Sequence, residues 1–456
     1  MGLSVIILAA GEGKRMRSSR PKVLHTLAGL PLLEHVSRTA AALQPQAVYC
    51  VVGHGGEQVR DALSDLPVTW VEQAEQLGTG HAVQQVLPHL APKDTVLILY
   101  GDVPLIRAAT LSRLIAVADE DHLALMTAQL ADPSGYGRIL RDDGGRVTAI
   151  VEEKDAAVEQ RAITEINTGI MACRGAHLEA WLHELDNANA QGEYYLTDVI
   201  GRAADEGMEI VTIAPDSVEE ISGVNNRAQL AALERAYQRA RAERLMSGGV
   251  TLRDPGRFDL RGELQTGIDC EIDVDCVIEG SVILGEGVRI GPYCVVRNAR
   301  IGDGVEIKAH CVIEDAEIGA DSRIGPFARI RPETELASGV HIGNFVEIKK
   351  SRVGTHSKIN HLSYVGDTTV GCDVNIGAGT ITCNYDGANK HRTEIGDGAF
   401  IGSDTQLVAP VKVGAGSTIG AGSTITRDTP PNELTLSRVP QQTRTGWKRP
   451  VKKRET

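Results

Sequence analysis

Aromatic residues are scarce in this chain: four Phe, nine Tyr and three Trp among 456 residues. That excludes a core built on large rings for most of its length, and stacked aliphatic side chains must take their place. The eight cysteines form no CxxC pair, which argues against a zinc site and against a secreted disulfide scaffold. No apolar run reaches the roughly 18 residues that a membrane-crossing helix needs, and no signal-peptide pattern is present. Ile6 stands where an N-myristoylation signal requires Ser or Thr. A cytoplasmic location with no membrane partner is therefore expected. Positive charge is short as well: a net charge of −13 speaks against a general nucleic-acid binder. Only the end is basic, with Arg438, Arg444, Lys448, Arg449, Lys452, Lys453 and Arg454 against Glu455. Such a tail is either solvated or suited to a polyanionic ligand.

Glycine, by contrast, is plentiful at 49 residues, and much of it belongs to one repeat. An aliphatic column runs Leu284, Ile290, Val296, Ile301, Ile307, Ile313, Ile318, Ile324, Ile330, Leu336, Ile342, Ile348, Val353, Ile359, Val365, Val370, Ile376. It resumes at Ile395, Ile401, Leu407, Val413, Ile419 and Ile425. This hexad period matches neither a helix face nor an alternating strand. It fits a parallel β-helix, each hexapeptide being one short strand and a turn, with three to a coil. Strands of adjacent coils then pair about 4.8 Å apart, and the column becomes a continuous core. A run of antiparallel hairpins would instead alternate apolar with polar residues and vary in spacing. The rhythm breaks at 380–394, TITCNYDGANKHRTE. A solenoid core gains nothing from such an insertion, whereas inserted loops commonly form a binding face.

The first half has a different grammar. Apolar runs at 3–10, 47–52 and 95–100, with helical stretches between them, predict an α/β domain with a mainly parallel sheet. Ligands of such sheets bind beyond the carboxyl ends of the strands, where Gly11-Glu12-Gly13 and Gly101-Asp102 fall. The glycine loop is no Walker sequence, and Met16 replaces the third glycine of the dinucleotide motif. Lys14, Arg15 and Lys22 nevertheless set three cations beside backbone N–H groups that suit phosphate. Residues 227–246 carry Leu230, Leu233, Tyr237 and Ala240 at helical spacing, and Gly248-Gly249 ends this connector.

A series of motifs gives these features context: LAAGEGKRM followed by Pro21-Lys22-Val23-Leu24, Gln73 with QLGTGHA from Gln76, and YGDVP from Tyr100. GYGR from Gly135, VEEK from Val151, NTG from Asn167, EYYLTD from Glu193 and VNNR from Val224 follow. In this order they resemble the signature of sugar-phosphate nucleotidyltransferases. With the hexapeptide half, nearly the whole chain resembles the bacterial bifunctional family that joins N-acetylglucosamine-1-phosphate uridylyltransferase and glucosamine-1-phosphate N-acetyltransferase activities. Lys14 departs from the Thr or Ser common in that loop and adds a cation.

The resemblance implies a Rossmann-like α/β domain with a mixed sheet over 1–226 and a helical linker over 227–249. A left-handed parallel β-helix over 250–437 and a basic tail over 438–456 complete the chain, in a homotrimer. It also implies that Leu8, Ala9, Ala10, Gly11, Lys22, Gln73, Gly78, Thr79, Tyr100, Gly101, Asp102, Gly137, Glu152, Asn167 and Asn225 bind UTP and UDP-N-acetylglucosamine. Mg²⁺ would sit on Asp102 and Asn225, with Arg15 and Lys22 stabilising the transferring phosphoryl group. Arg331, Lys349, Tyr364 and Asn375 would hold the acetyl acceptor, and Ala378, Asn384, Tyr385, Ser403, Ala421 and Arg438 acetyl-CoA. His361 would be the base that takes the ammonium proton, for which an imidazole is suited.

Three rival readings exist. A single-activity nucleotidyltransferase would use its β-helix only for assembly or regulation, and would need neither His361 nor the Arg331–Lys349 pair. A zinc carbonic anhydrase would need three imidazoles, for which His310, His341, His356, His361 and His391 are available. It would leave the first half without a purpose, as would a pure interaction scaffold.

Overall fold

The computed structural model describes residues 2–450 and 452; Met1 lies outside the described residues, as do Lys453, Arg454 and Glu455 of the basic tail. The chain packs as two compact units, Met1–Tyr237 and Gln238–Thr456.

In the first unit the sheet order is Glu209–Ile213, His122–Gln129, Glu165–Arg174, Thr95–Tyr100, Leu3–Leu8, Ala47–Val52, Thr69–Glu72. Neighbours run parallel except Glu165–Arg174, which is antiparallel to both strands beside it. Such a sheet is covered on both faces, which is why Leu3–Leu8 is apolar at almost every position. Val5 and Ile7 pack under the helices Leu32–Ala42 and Ala108–Val117, while Ile6 and Leu8 face Gly175–His183 and Asp198–Asp205. A hairpin of Arg138–Arg141 and Val147–Val151 leans on the start of Glu165–Arg174. Strands Leu3–Leu8, Ala47–Val52 and Thr95–Tyr100 all deliver their carboxyl ends to one edge, and there the first site is built.

The second unit is a parallel β-helix. Every aliphatic residue of the hexad column is at most 4 % exposed, and all belong to one core. Ile290, Ile307, Ile324, Ile342, Ile359 and Ile376 stack in register from coil to coil. The coils also begin earlier than the column suggests, since Leu252, Leu260, Ile272 and Ile278 share the core. Thr266 pairs with Leu284 in one of these first coils, so an aliphatic residue is missing where the repeat would have announced itself. The break is narrower than the sequence pattern implies. Thr382 takes the column position opposite Leu407, and its hydroxyl accepts from the Gly366 N–H at 2.8 Å. The extra residues follow it: Ile376 pairs with Ile401, 25 positions on, where the previous step from Ile359 is 17.

The helix Arg227–Ser247 holds the division between the units. In the first unit, Leu233 packs with Met16, Leu27 and Leu32, and Glu234 accepts from the Ala28 N–H at 2.6 Å. In the second, Ala242 enters the β-helix core and Gln238 closes the first coil through both backbone groups of Leu260.

Candidate active sites

The first site grows from the loop after Leu3–Leu8. Gly13 adopts φ +62°, and an added Cβ there would lie 2.7 Å from Cβ of Lys22. Only glycine lets the loop press so closely on the segment that carries Lys22. The Lys22 ammonium pairs with Asp102 and lies 3.4 Å from Asn225 Oδ1, while Arg15 donates to the same oxygen at 2.9 Å. The Val224 N–H donates to the Asp102 carbonyl at 2.9 Å and ties the two segments together. Four of the expected residues thus form one constellation. Lys14 does not join it: its ammonium pairs with Glu12 in solvent, so the extra cation is neutralised locally.

The same constellation suits a divalent cation. One carboxylate and one amide oxygen converge, and a cationic ammonium already lies against both. Among the described residues no cluster of three His, Cys, Asp or Glu forms a complete metal cage. A hard cation held by two protein oxygens must take its remaining ligands from phosphates and water.

Further along the edge, Asn167 Oδ1 accepts from the Gly169 N–H at 2.9 Å, and the Asn167 N–H donates to the Gly137 carbonyl at 2.8 Å. Glu152 accepts from Thr197 Oγ1 at 3.0 Å. Burial pushes the Glu152 carboxyl above the usual range, against the pull of that hydroxyl. Burial, with the charges of Asp186 and Glu152, pushes neighbouring Asp198 up to about 6. Tyr100 is raised by burial also, and its ring lies where a side chain on Gly169 would fall. Gln73 is buried against Gly78 and His81, and Thr79 Oγ1 accepts from the Leu196 N–H at 3.1 Å. Leu8, Ala9 and Ala10 are buried, Gly101 donates its N–H to the Leu8 carbonyl at 2.9 Å, and Gly11 is exposed beside them.

The second site lies along one corner of the β-helix. Asn344 and His361 are in register on adjacent coils. The Gly379 N–H donates to the His361 carbonyl, Asp404 N–H to Ala378, Gly422 N–H to Ser403, and Arg438 Nη1 to Ala421 at 2.9 Å. One axial row therefore carries Asn344, His361, Ala378, Ser403, Ala421 and Arg438. His361 is exposed, and its Nδ1 lies 2.8 Å from Asn344 Oδ1. An amide oxygen only accepts, so Nδ1 carries the proton and the lone pair is on Nε2.

The face after that corner holds a charged group. Arg331 pairs with Glu347 at 2.7 Å, and Lys349, one coil on from Arg331, lies against Lys390. The Lys390 ammonium holds Lys349 below the usual lysine range, with burial and Arg331 acting the same way. Asn384 donates to Asp367 at 2.5 Å and to the Tyr364 hydroxyl at 3.4 Å. Tyr385 and Lys390 bridge across the inserted loop, whose turn is tied by Asp386. Backbone N–H groups and His391 together draw the Asp386 carboxyl far below the carboxylate range. Asn375 is apart from this group. It sits on the other sheet, in register with Lys358 and Phe400, and bonds to none of these residues among those described.

Both units have counterparts among known proteins. Residues 5–166 match the MobA-like NTP transferase domain, 261–367 the GMPPB C-terminal domain, and 392–427 the bacterial transferase hexapeptide of six repeats. Curated relatives named bifunctional protein GlmU align end to end. That of Azoarcus sp. is 60 % identical over 452 residues, covering 99 % of this chain and 100 % of the relative. Those of Ralstonia nicotianae and Methylococcus capsulatus are each 59 % identical, covering 99 % and 100 % of this chain and 100 % and 99 % of theirs. The chain belongs to the GlmU family.

Six residues placed in or against these sites carry no assignment from sequence: His81, Thr197, Asn344, Glu347, Asp367 and Lys390. Lys390 had a signal, as a cation inside the insertion. Asn344 and Glu347 had only their distance of about one coil from His361 and Tyr364.

Proposed function

We infer that the chain is a two-site enzyme that acetylates glucosamine-1-phosphate and then converts the product to UDP-N-acetylglucosamine. The observation that carries this is the pairing of two separate polar constellations, one in each unit, with end-to-end identity to relatives named bifunctional. In the second unit, the β-helix corner would bind acetyl-CoA along Ala378, Ser403, Ala421 and Arg438, with Asn384 and Tyr385 of the insertion beside them. Arg331, Lys349 and Tyr364 hold the sugar phosphate, joined by Lys390. His361 Nε2 takes the proton from the neutral amine as it attacks the thioester carbon and returns it to the departing sulfur as the C–S bond breaks, so that coenzyme A leaves as the thiol. Asn344 keeps the ring turned for that step.

In the first unit, the phosphate oxygen of N-acetylglucosamine-1-phosphate attacks the α-phosphorus of UTP and pyrophosphate leaves. Asp102 and Asn225 would hold the divalent cation, which we take to be Mg²⁺, and its charge would offset the repulsion between the two anionic reactants. Arg15 and Lys22 balance charge on the phosphates. Gln73, Gly78 and Thr79 read the base; Gly137, Glu152 and Asn167 hold the sugar; the backbone from Leu8 to Gly11 and from Tyr100 to Gly101 lines the nucleotide.

We also propose a homotrimer. Tyr293, His310, Phe327 and Phe345 stack ring on ring along one corner, and the three aromatics are about half exposed. A second copy is a fitting cover for such a strip. Asn375 and Lys349 lie on different sheets of the β-helix, and in a cyclic trimer one face of each copy would meet a different face of the next. No described helix is long and apolar enough to cross a membrane, and action on free sugar phosphates suits the cytoplasm, without nucleic acid or membrane as a partner. Incubation with glucosamine-1-phosphate, acetyl-CoA, UTP and Mg²⁺, with products separated by mass, tests the whole reading. UDP-N-acetylglucosamine is the expected product, and its absence would refute it.

A further inference from the structure

Gln73, at the base-reading end of the first site, is only 3 % exposed, and its amide nitrogen is fully engaged inside the chain. Nε2 lies 3.0 Å from the Gly78 carbonyl oxygen and 3.1 Å from Nδ1 of His81. A carbonyl oxygen only accepts, so the Gly78 contact decides which end of the amide is nitrogen. That nitrogen then faces His81 Nδ1, which must be the acceptor, with the ring proton on Nε2. His81 itself is seated: it packs beside Tyr194 with ring centroids 6.4 Å apart, and the Tyr194 carbonyl accepts from the Gly80 N–H at 2.8 Å. The oxygen of the Gln73 amide accepts no hydrogen bond among the described residues.

We propose that His81 is a positioning residue that determines nucleobase choice by locking the Gln73 amide with its oxygen toward the base. This rests on the reading of the site as one that takes UTP. An amide oxygen held there accepts the N3–H of uracil, whereas cytosine presents a lone pair at N3. A freely flipping amide serves either base; one whose two N–H groups are both used cannot turn without leaving a buried group unpaired. Removing His81 leaves the Gly78 contact, so discrimination weakens without vanishing.

The test is kcat/KM for UTP and for CTP, measured on the full chain with N-acetylglucosamine-1-phosphate. His81→Leu should narrow the UTP-to-CTP ratio on the order of tenfold. His81→Asn, whose Oδ1 stands where Nδ1 stood, should keep the ratio within about threefold of the wild type. A role confined to stability would lower both nucleotides together and leave the ratio unmoved. An unchanged ratio in folded His81→Leu overturns the proposal, and so does a His81→Asn ratio that falls as far. If His81→Leu does not fold, ¹⁵N resonances of the wild-type imidazole decide: a proton on Nε2 is expected, and one on Nδ1 overturns it. A wild-type chain that turns over neither nucleotide would count against the proposed function instead, with the imidazole proton still deciding the role of His81.

Discussion

His361 and His81 put the same ring atom to opposite uses: Nδ1 donates to Asn344 in one and accepts from Gln73 in the other. The first arrangement leaves a basic Nε2 on an exposed corner. His361→Ala should therefore lower acetyl transfer by about 10²–10⁴-fold while uridylyl transfer is unchanged, measured as separate initial rates. Asn344→Ala keeps the base and loses its orientation, and a fall of about 10–100-fold is expected, all of it in acetyl transfer. Asp102→Ala should have the reverse effect, abolishing metal-dependent uridylyl transfer and sparing acetylation, because it removes the anionic oxygen beside Lys22. A further effect concerns stability. Asp198 is raised to about 6 in the folded chain, chiefly by burial, from an unfolded value near 3.9. Between about pH 4 and 6 the native state holds a proton that the unfolded state has released, so stability that is fully present below about pH 4 falls across this window and is lost as pH rises through about 6. Asp198→Asn should raise the melting temperature at pH 7, and the advantage should shrink toward zero near pH 4.

The strands and loops differ in how openly they announce themselves. The hexad column is written in residue type, and each of its members is buried. The first α/β strands are equally legible, since a parallel sheet covered on both faces needs unbroken apolar runs such as 95–100. What escapes a linear reading is the lateral contact. Glu347 and Arg331 meet only because one coil takes 17 or 18 residues, a count that shifts between coils. Lys390 reaches Lys349 only through the inserted loop. Gly366 gives the sharpest test of that crowded face: an added Cβ would lie 2.4 Å from the Tyr364 hydroxyl and 2.8 Å from Asn384 Nδ2. Gly366→Ala should displace both side chains, so acetyl transfer should fall at least tenfold while the melting temperature moves little, because the glycine packs against side-chain ends. An unaltered rate would mean that Tyr364 and Asn384 need not be where they are.

For the molecule as a whole, the decisive segment is the helix Arg227–Ser247, which reads as a simple connector from its charge pattern. Its first half is part of the first unit's core. Leu233 is 4 % exposed among Met16, Leu27 and Leu32; the Tyr237 ring meets His35 edge-on at 5.5 Å; and Glu234 accepts from the Ala28 N–H. Met16 follows Arg15 directly, so this packing also supports the loop that carries the Arg15 guanidinium to Asn225. A chain cut after residue 226 loses these contacts, at a cost comparable to emptying one or two large buried positions, about 2–5 kcal/mol. For a domain of this size that is a drop of roughly 5–15 °C in melting temperature. A chain ending at Ser247 keeps the helix. Both fragments should be silent in acetyl transfer, since neither has the β-helix. The longer should form UDP-N-acetylglucosamine from N-acetylglucosamine-1-phosphate and UTP at close to the full-length rate, and the shorter should do so only below its lowered melting point. Equal melting temperatures for the two, by calorimetry at one protein concentration, would show that the helix is a passive connector after all.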